Sequence, residues 1–251
     1  MSDRVSIAIA CLLLPVAAAA EPLVFLRVDQ AGGLDRGGVG ASYTLEAARA
    51  VLAVQGSADR GDAYTGATHR ITAAYGVLDW LTVGVEQSLR QVAGDQLRIG
   101  VLAPEVRARL DAFGLPVEGL GAYVQGRVRV TAQRPSSLVG GLVLDRGLGA
   151  FVLAARLGFE ATVVGTAPEL GFRSELGISR ALGESWKVSA EEWGSSRWVG
   201  GVPENDYHVG PSLQVRWKAL KVGLQLGVGE KAAAGLLVVD GVAMVRAALG
   251  F

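Results

Sequence analysis

Cysteine, histidine and aromatic residues are scarce in this chain. Its 251 residues include 1 cysteine and 2 histidines, and aromatic residues make up 6% of the total. The cysteine, Cys11, lies in an apolar N-terminal segment that we expect to be removed from the mature protein. The mature chain can then form neither disulfides nor thiolate metal sites. We expect no cofactor and no metal, because no spacing of histidine and acidic residues is typical of a metal centre.

Charge is also low for a chain of this length. Charged residues make up 19% of the chain, hydrophobic residues make up 50%, and the formal net charge is 0. A soluble domain normally carries roughly a quarter charged residues, so part of the apolar surface is expected to face something other than water. The absence of a lysine- and arginine-rich run argues against a nucleic-acid partner, which needs a basic footprint.

The N-terminus is predicted to be a secretory signal peptide. Residues 1–20 combine a short polar start with Arg4, an apolar run over 5–16 and a stretch of alanines before Glu21. A membrane anchor helix is an alternative, but the run contains Pro15 and is shorter than the roughly 20 apolar residues that span a bilayer. A lipoprotein attached at Cys11 is a second alternative, disfavoured because too little apolar sequence precedes the cysteine.

The end of the chain, residues 207–251, alternates apolar and polar residues with a period of two. From 207 to 218 the odd positions are apolar and the even positions are small or polar. The phase shifts after Ala219, and a third run ends at Leu249 and Phe251. Successive side chains of a strand point to opposite faces, so each run predicts a β-strand with one apolar and one polar face.

The same alternation recurs through most of the chain and predicts about twelve strands. Connections after the even strands are expected to be tight, and those after the odd strands include longer polar ones at 57–66, 197–206 and 229–241. In the first strand a bulge is expected, because Glu46 breaks the parity of the apolar face formed by Ala48, Ala50, Leu52 and Val54.

This combination resembles bacterial outer-membrane β-barrel proteins, of the transporter- or porin-like kind with unassigned substrate. The resemblance rests on the signal peptide, the alternating strands such as YGVLDWLTVGV at 75–85, the alternation of short and long connections, and the terminal Phe251. It implies an all-β fold in the outer membrane: a single closed antiparallel transmembrane barrel with short periplasmic turns and longer extracellular loops. The expected division is a signal peptide (1–20), a periplasmic N-terminal lead-in (21–40) and the barrel (41–251).

The resemblance also implies partners. Barrels of this kind are inserted by the barrel-assembly machinery, which reads the last strand, and Leu249 and Phe251 match the apolar and aromatic end positions of that signal. Outer-membrane lipid is the second expected partner, and small solutes are a third.

The polar face of a closed barrel lines its lumen. The charged residues expected there are Arg70, Glu86, Arg90, Glu105, Arg107, Arg109, Asp111, Arg127, Arg129, Arg156, Glu160, Arg173, Glu175, Lys187, Glu191, Arg216 and Arg246. Basic residues outnumber acidic ones, which suggests a lumen attractive to anionic solutes. A cross-strand salt-bridge network that fills a narrow barrel is the favoured alternative, and it leaves room for a narrow pathway beside it.

A soluble β-sandwich is the alternative fold, since its strands also carry one apolar face. The signal peptide and the many charges on the polar face weigh against it. Aromatic residues near predicted strand ends are expected to form interfacial girdles, except for Trp80 and Trp193, which parity turns inward. The girdle candidates are Trp186, Trp198, Trp217, Tyr75 and Tyr207.

A catalytic site is not expected. His208 and Ser212 share a face, but four residues along a strand separate them by roughly 13 Å, too far for a nucleophile and its base. His69 is predicted to face lipid near the outer rim without a serine beside it. Glu175 and Glu191 form the best carboxylate pair, but Arg173 and Lys187 favour ion pairing over acid–base chemistry.

Three functions are therefore weighed. The first is a narrow channel or transport barrel for small solutes with a charge-lined lumen. The second is a closed structural or surface-interaction barrel that does not conduct, and the third and weakest is a lipid-modifying enzyme.

Overall fold

The computed structural model describes residues 33–55, 66–92, 97–115, 117–129, 136–164, 167–199, 202–233 and 236–250. The predicted signal peptide and the first part of the predicted lead-in lie outside these residues. Phe251 lies outside them as well.

The described residues form one closed antiparallel β-barrel. The strands are β1 (Val39–Gln55), β2 (Gly66–Leu78), β3 (Leu81–Val92), β4 (Arg98–Arg109), β5 (Leu120–Arg129), β6 (Ser137–Leu148), β7 (Phe151–Val164), β8 (Ala167–Ala181), β9 (Trp186–Val199), β10 (Val202–Trp217), β11 (Leu220–Ala233) and β12 (Leu236–Gly250). Each strand pairs with its neighbours in sequence, and β1 closes the barrel against β12. The prediction of a single closed barrel with about twelve strands is confirmed.

The outer face of the barrel is apolar, as strand parity predicts. Large hydrophobic side chains stand exposed at alternate positions, for example Val83 and Val85 on β3 and Leu224 and Leu226 on β11. Trp186, Trp198 and Trp217 also lie exposed near strand ends, whereas Trp193 is buried inside. The only helix in the described chain is a 3-10 turn, Asp111–Phe113, and no described helix is long and apolar enough to cross a bilayer.

Three details differ from the sequence-based expectation. Residues 197–199 and 202–206 belong to β9 and β10, and 229–233 and 236–241 belong to β11 and β12, so two of the three predicted long connections lie largely within strands. In β1, Glu46 bonds to the inner-face Arg70 and Ala48 pairs with the buried Val242. Ala48 therefore faces inward, and the predicted irregularity falls later, between Ala50 and Leu52.

The chain enters β1 across the end of the barrel that carries the short connections, which we name the short-turn end. The backbone N–H of Leu34 donates to Thr82 Oγ1 at 2.9 Å, and the N–H of Gly37 donates to the Gly76 carbonyl at 2.8 Å. Because Thr82 lies on the inner face, residues 33–36 cover part of the lumen opening at this end.

Gly76 permits this close approach, which gives a testable prediction. A Cβ at Gly76 would lie 2.0 Å from the Asp35 carbonyl oxygen, so Gly76→Ala is expected to displace residues 33–36. Trypsin should then cleave after Arg36 several-fold faster, measured by mass spectrometry as a fragment beginning at Gly37. Gly147→Ala is the control, because a Cβ there meets nothing within 4 Å. Equal cleavage in the two variants would contradict the prediction.

Candidate functional site

The inner face of the barrel encloses an elongated cavity of about 360 Å³. Its lining runs along β2 and β3 from Thr82 and Leu34 at the short-turn end to Thr68 and Ser88 near the opposite strand ends. The cationic side chains on its wall are Arg70, Arg107, Arg127, Arg156, Arg173, Lys221 and Arg246, and the acidic ones are Glu86, Glu105 and Glu175. Cations therefore outnumber carboxylates around this space.

Glu105 holds together an ionic cluster on the wall. Its Oε1 accepts from Arg107 at 2.6 Å, and its Oε2 accepts from Arg156 at 2.6 Å and from Gln125 Nε2 at 3.2 Å. The Arg156 guanidinium also lies 3.9 Å from the centroid of the Tyr123 ring. These contacts keep two arginines against the wall instead of across the cavity.

A second cluster is centred on Glu160, which is 1% exposed. Ser137 Oγ donates to its Oε1 at 2.5 Å, and Arg173 Nε donates to its Oε2 at 2.7 Å. Both carboxylate oxygens are thus occupied. Arg70 bonds to Glu46 at 3.3 Å in the same way, so most of the arginines on the cavity wall have an acidic partner.

The wall formed by β9 to β11 is packed more densely. Trp193 and His208 stack with ring centroids 5.4 Å apart, and a Cβ at Gly229 would lie 2.2 Å from His208 Cδ2. Glycine on the inner face thus lets the imidazole lie flat on the strand. Glu191 accepts from Ser212 at 2.6 Å and from Ser189 at 3.0 Å.

The charged residues predicted to line the lumen fall into distinct places. On the cavity wall are Arg70, Glu86, Glu105, Arg107, Arg127, Arg156, Arg173, Glu175 and Arg246. Glu160 and Glu191 are buried in the wall. Lys187 and Arg216 line a separate small recess at the short-turn end. Arg109 lies beside Asp111 at the same end, and Arg90 is exposed near the opposite end of β3.

The remaining predicted residues are Arg129, the two assembly-signal residues at the C-terminus, and the carboxylate pair Glu175 and Glu191. The side chain of Arg129 lies outside the described residues, as does Phe251, whereas Leu249 is exposed on the outer face. Of the basic residues predicted near Glu175 and Glu191, Arg173 bonds to Glu160. Glu175 stands opposite Arg156 in the β7–β8 register.

Sequence reasoning missed several residues of the site. Tyr123, Gln125 and Lys221 all line the cavity, and each lies at an inward position of its alternating strand. Parity alone therefore predicts that all three side chains face the lumen. Glu46 was missed because its inward phase was interpreted as a bulge.

The histidine and serine residues considered for catalysis do not form a nucleophile–base pair. Ser212 bonds to Glu191 and Ser189, whereas His208 stacks on Trp193 and its Nδ1 lies 3.3 Å from Asp206 Oδ1. His69 stands on the outer face and its Nδ1 bonds to the hydroxyl of Tyr43 at 2.7 Å. No group of three or more metal-ligating side chains occurs within the described ranges.

Asp111, in the connection between β4 and β5, gives a pH-dependent prediction. Hydrogen bonds from Arg109, at 3.3 and 3.2 Å, are the main reason that the pKa of Asp111 is lowered. A carboxylate whose folded pKa lies below its unfolded value stabilises the fold above the unfolded pKa, and that stabilisation is lost as the pH falls through the folded pKa.

Asp111→Asn is therefore expected to lower the thermal stability of the barrel at pH 7 slightly, by less than about 1 kcal/mol, because Arg109 is 37% exposed and solvent screens the pair. The difference from the unchanged protein should narrow as the pH falls below about 4. Thermal unfolding in detergent, from pH 7 to below about 4, measures the difference in stability between Asp111→Asn and the unchanged protein. Glu118→Gln, in the same exposed connection, is the control. A difference that widens in acid would contradict the prediction.

Comparison with known proteins identifies the fold. No family model and no curated protein matches the chain. Among solved structures, the COG4313 outer membrane channel from Pseudomonas putida F1 is similar over 88% of this chain and 98% of that one, with a TM-score of 0.53 and 12% identity. The CymD monoaromatic hydrocarbon channel covers 87% of this chain and 89% of its own, with a TM-score of 0.47 and 12% identity.

The translocator domain of the autotransporter NalP from Neisseria meningitidis is similar over 85% of this chain and 88% of its own, with a TM-score of 0.43 and 12% identity. The structure itself shows the same barrel architecture. Its strands form a closed antiparallel sheet with an apolar outer face and a charged inner face. The chain is a twelve-stranded β-barrel with the fold of bacterial outer-membrane barrels.

Proposed function

We propose that this barrel is a narrow outer-membrane channel for small polar solutes, with a preference for anions. The observation that carries the proposal is the elongated cavity of about 360 Å³ inside a closed barrel whose outer face is apolar. A barrel needs an apolar exterior to lie in a bilayer, whereas an internal space lined by charges suits water and dissolved solutes.

The preference for anions follows from the charge on the cavity wall. Its arginines and Lys221 outnumber Glu86, Glu105 and Glu175, and a confined space of one net sign raises the local concentration of the opposite ion. The bond of Ser212 to Glu191 and the stacking of His208 on Trp193 favour a structural role for these residues over hydrolysis.

Single-channel recording tests the proposal. Refolded mature protein in a planar bilayer is expected to give discrete openings, and its reversal potential under a KCl gradient should report anion preference. Lys221→Gln combined with Arg246→Gln removes two cations from the wall and should move the reversal potential towards that of a non-selective pore. Arg180→Gln, at an exposed position, is the matched control.

A folded barrel that never conducts would overturn the proposal. Correct folding is checked independently by the different gel mobility of heated and unheated protein. Such a result would favour the second candidate, a closed structural barrel, which is supported by the dense packing around Trp193 and His208 and by residues 33–36 across one opening.

A further inference from the structure

Two charged side chains on the cavity wall stand apart from the ionic clusters. Arg127 and Glu86 both line the cavity, but neither forms an ion pair with any described residue. Arg127 makes one long hydrogen bond, from Nη1 to Gln125 Oε1 at 3.4 Å, and its Nε is buried without a hydrogen-bond partner among the described residues. A buried guanidinium N–H with no acceptor is a costly arrangement unless a ligand or water completes it.

The register explains why Arg127 has no acidic partner. It stands directly opposite Ser137 on β6. On the β4 side, Leu102 pairs with Val128 and Glu105 with Gln125, which places Ala103 beside Arg127. The nearby carboxylate of Glu160 is already occupied on both oxygens by Ser137 and Arg173.

Glu86 is isolated in a corresponding way. Its neighbours across the strands are Thr72 on β2 and Ala103 on β4, and neither carries a charge. Arg70 lies one step away diagonally, opposite Ser88, but it bonds to Glu46. The carboxylate of Glu86 thus faces the cavity without a cation bonded to it in the described chain.

Ala103 separates the two charges. Since Glu86 and Arg127 lie one strand on either side of it, their backbones are about 10 Å apart at the usual strand spacing. They attract each other electrostatically, but no salt bridge joins them within the described residues. Ala103 itself is fully buried, and the carboxylate of Glu86 and the guanidinium of Arg127 border the cavity on either side of it.

We propose that the part of the cavity bordered by Glu86 and Arg127 binds the zwitterionic head group of an α-amino acid. The ligand carboxylate accepts hydrogen bonds from the guanidinium of Arg127 at the cavity wall, and the ligand ammonium donates to Glu86. A ligand of one charge would satisfy only one of the two groups, whereas a zwitterion satisfies both. The inference rests on the proposed function, since it names the solute class that the channel would take.

Three probes separate the contributions of the two charges. Alanine carries both head groups, acetate carries only the carboxylate, and methylammonium carries only the ammonium. The concentration that gives the same reduction of single-channel current is expected to be about tenfold lower for alanine than for acetate or methylammonium. The reason is that alanine gains an additional charge-assisted hydrogen bond.

Variants assign the effect to the two residues. Glu86→Gln should remove the advantage of alanine over acetate and leave the acetate effect unchanged. Arg127→Gln should abolish the effects of both alanine and acetate, and Arg127→Lys, which keeps the charge, should weaken the alanine effect. Glu230→Gln and Arg180→Gln, at exposed positions, are the matched controls.

The outcomes distinguish this inference from the proposed function. If the folded protein conducts and alanine acts no better than acetate, the zwitterion site is overturned while the channel stands. If it never conducts, the channel falls, and the site is tested by thermal unfolding in detergent with the same three probes. The site is supported if alanine stabilises the protein more than acetate does and if this difference disappears in Glu86→Gln. It is overturned if alanine and acetate stabilise the protein equally. An alanine effect unchanged in Glu86→Gln or Arg127→Lys also overturns it.

Discussion

Glu105→Ala is expected to destabilise the barrel by about 3–5 kcal/mol, the usual loss when one partner of a buried ion pair is removed. Glu105 accepts from Arg107 and Arg156 at 2.6 Å each, and from Gln125. The side chains of all three charged residues are 10–13% exposed, so the two guanidinium groups would be left close together with little solvent. Their mutual repulsion adds to the loss of the bonds.

Glu204→Ala is the control for this prediction. Glu204 also pairs with an arginine, Arg197, at 3.3 Å, but the two side chains are 37% and 31% exposed. Removal of such a pair is expected to cost less than about 1 kcal/mol. Urea unfolding in detergent or lipid measures the free energy of unfolding of both variants. If the two variants lose the same amount, water in the lumen solvates Arg107 and Arg156 as well as bulk solvent does, and the prediction is contradicted.

The alternation of residues predicts which way most side chains point, and the structure shows why this works. A strand that separates lipid from a polar lumen has to carry apolar residues at every second position, as β3 does with Val83 and Val85. The prediction fails where the backbone departs from strict alternation. In β1 the irregularity lies beyond Ala50, so an argument that placed it at Glu46 assigned Ala48 to the wrong face.

Bonding partners on the inner face could not be predicted from the sequence in the same way. Arg156 bonds to Glu105, 51 residues earlier, and the pairing depends on the register of four successive strands. The alternation gives each residue a face but not its height along the barrel. For the same reason, the isolation of Arg127 and Glu86 is visible only once the strands are aligned.

Gly210→Ala is expected to cost about 3 kcal/mol or more and to reduce the yield of folded barrel strongly. A Cβ at this position would lie 1.9 Å from the Leu226 carbonyl oxygen and 2.6 Å from the Gly227 Cα. Both are backbone atoms, so no side-chain rotation relieves the overlap and β10 would have to move away from β11. The measurement is the fraction of refolded protein with heat-modifiable gel mobility, followed by urea unfolding.

Gly126→Ala makes the same change in a strand where space is available. A Cβ there would meet only Pro104 Cγ, at 3.7 Å, and glycine within a strand is less stable than alanine by about 0.5–1 kcal/mol, so this variant should be neutral or slightly stabilised. The contrast tests whether the close approach at Gly210 sets the β10–β11 register, in which Ser212, two residues further on, stands opposite Gln225. If Gly210→Ala refolds as well as Gly126→Ala, the barrel wall can widen locally, and the position of Ser212 does not depend on this glycine.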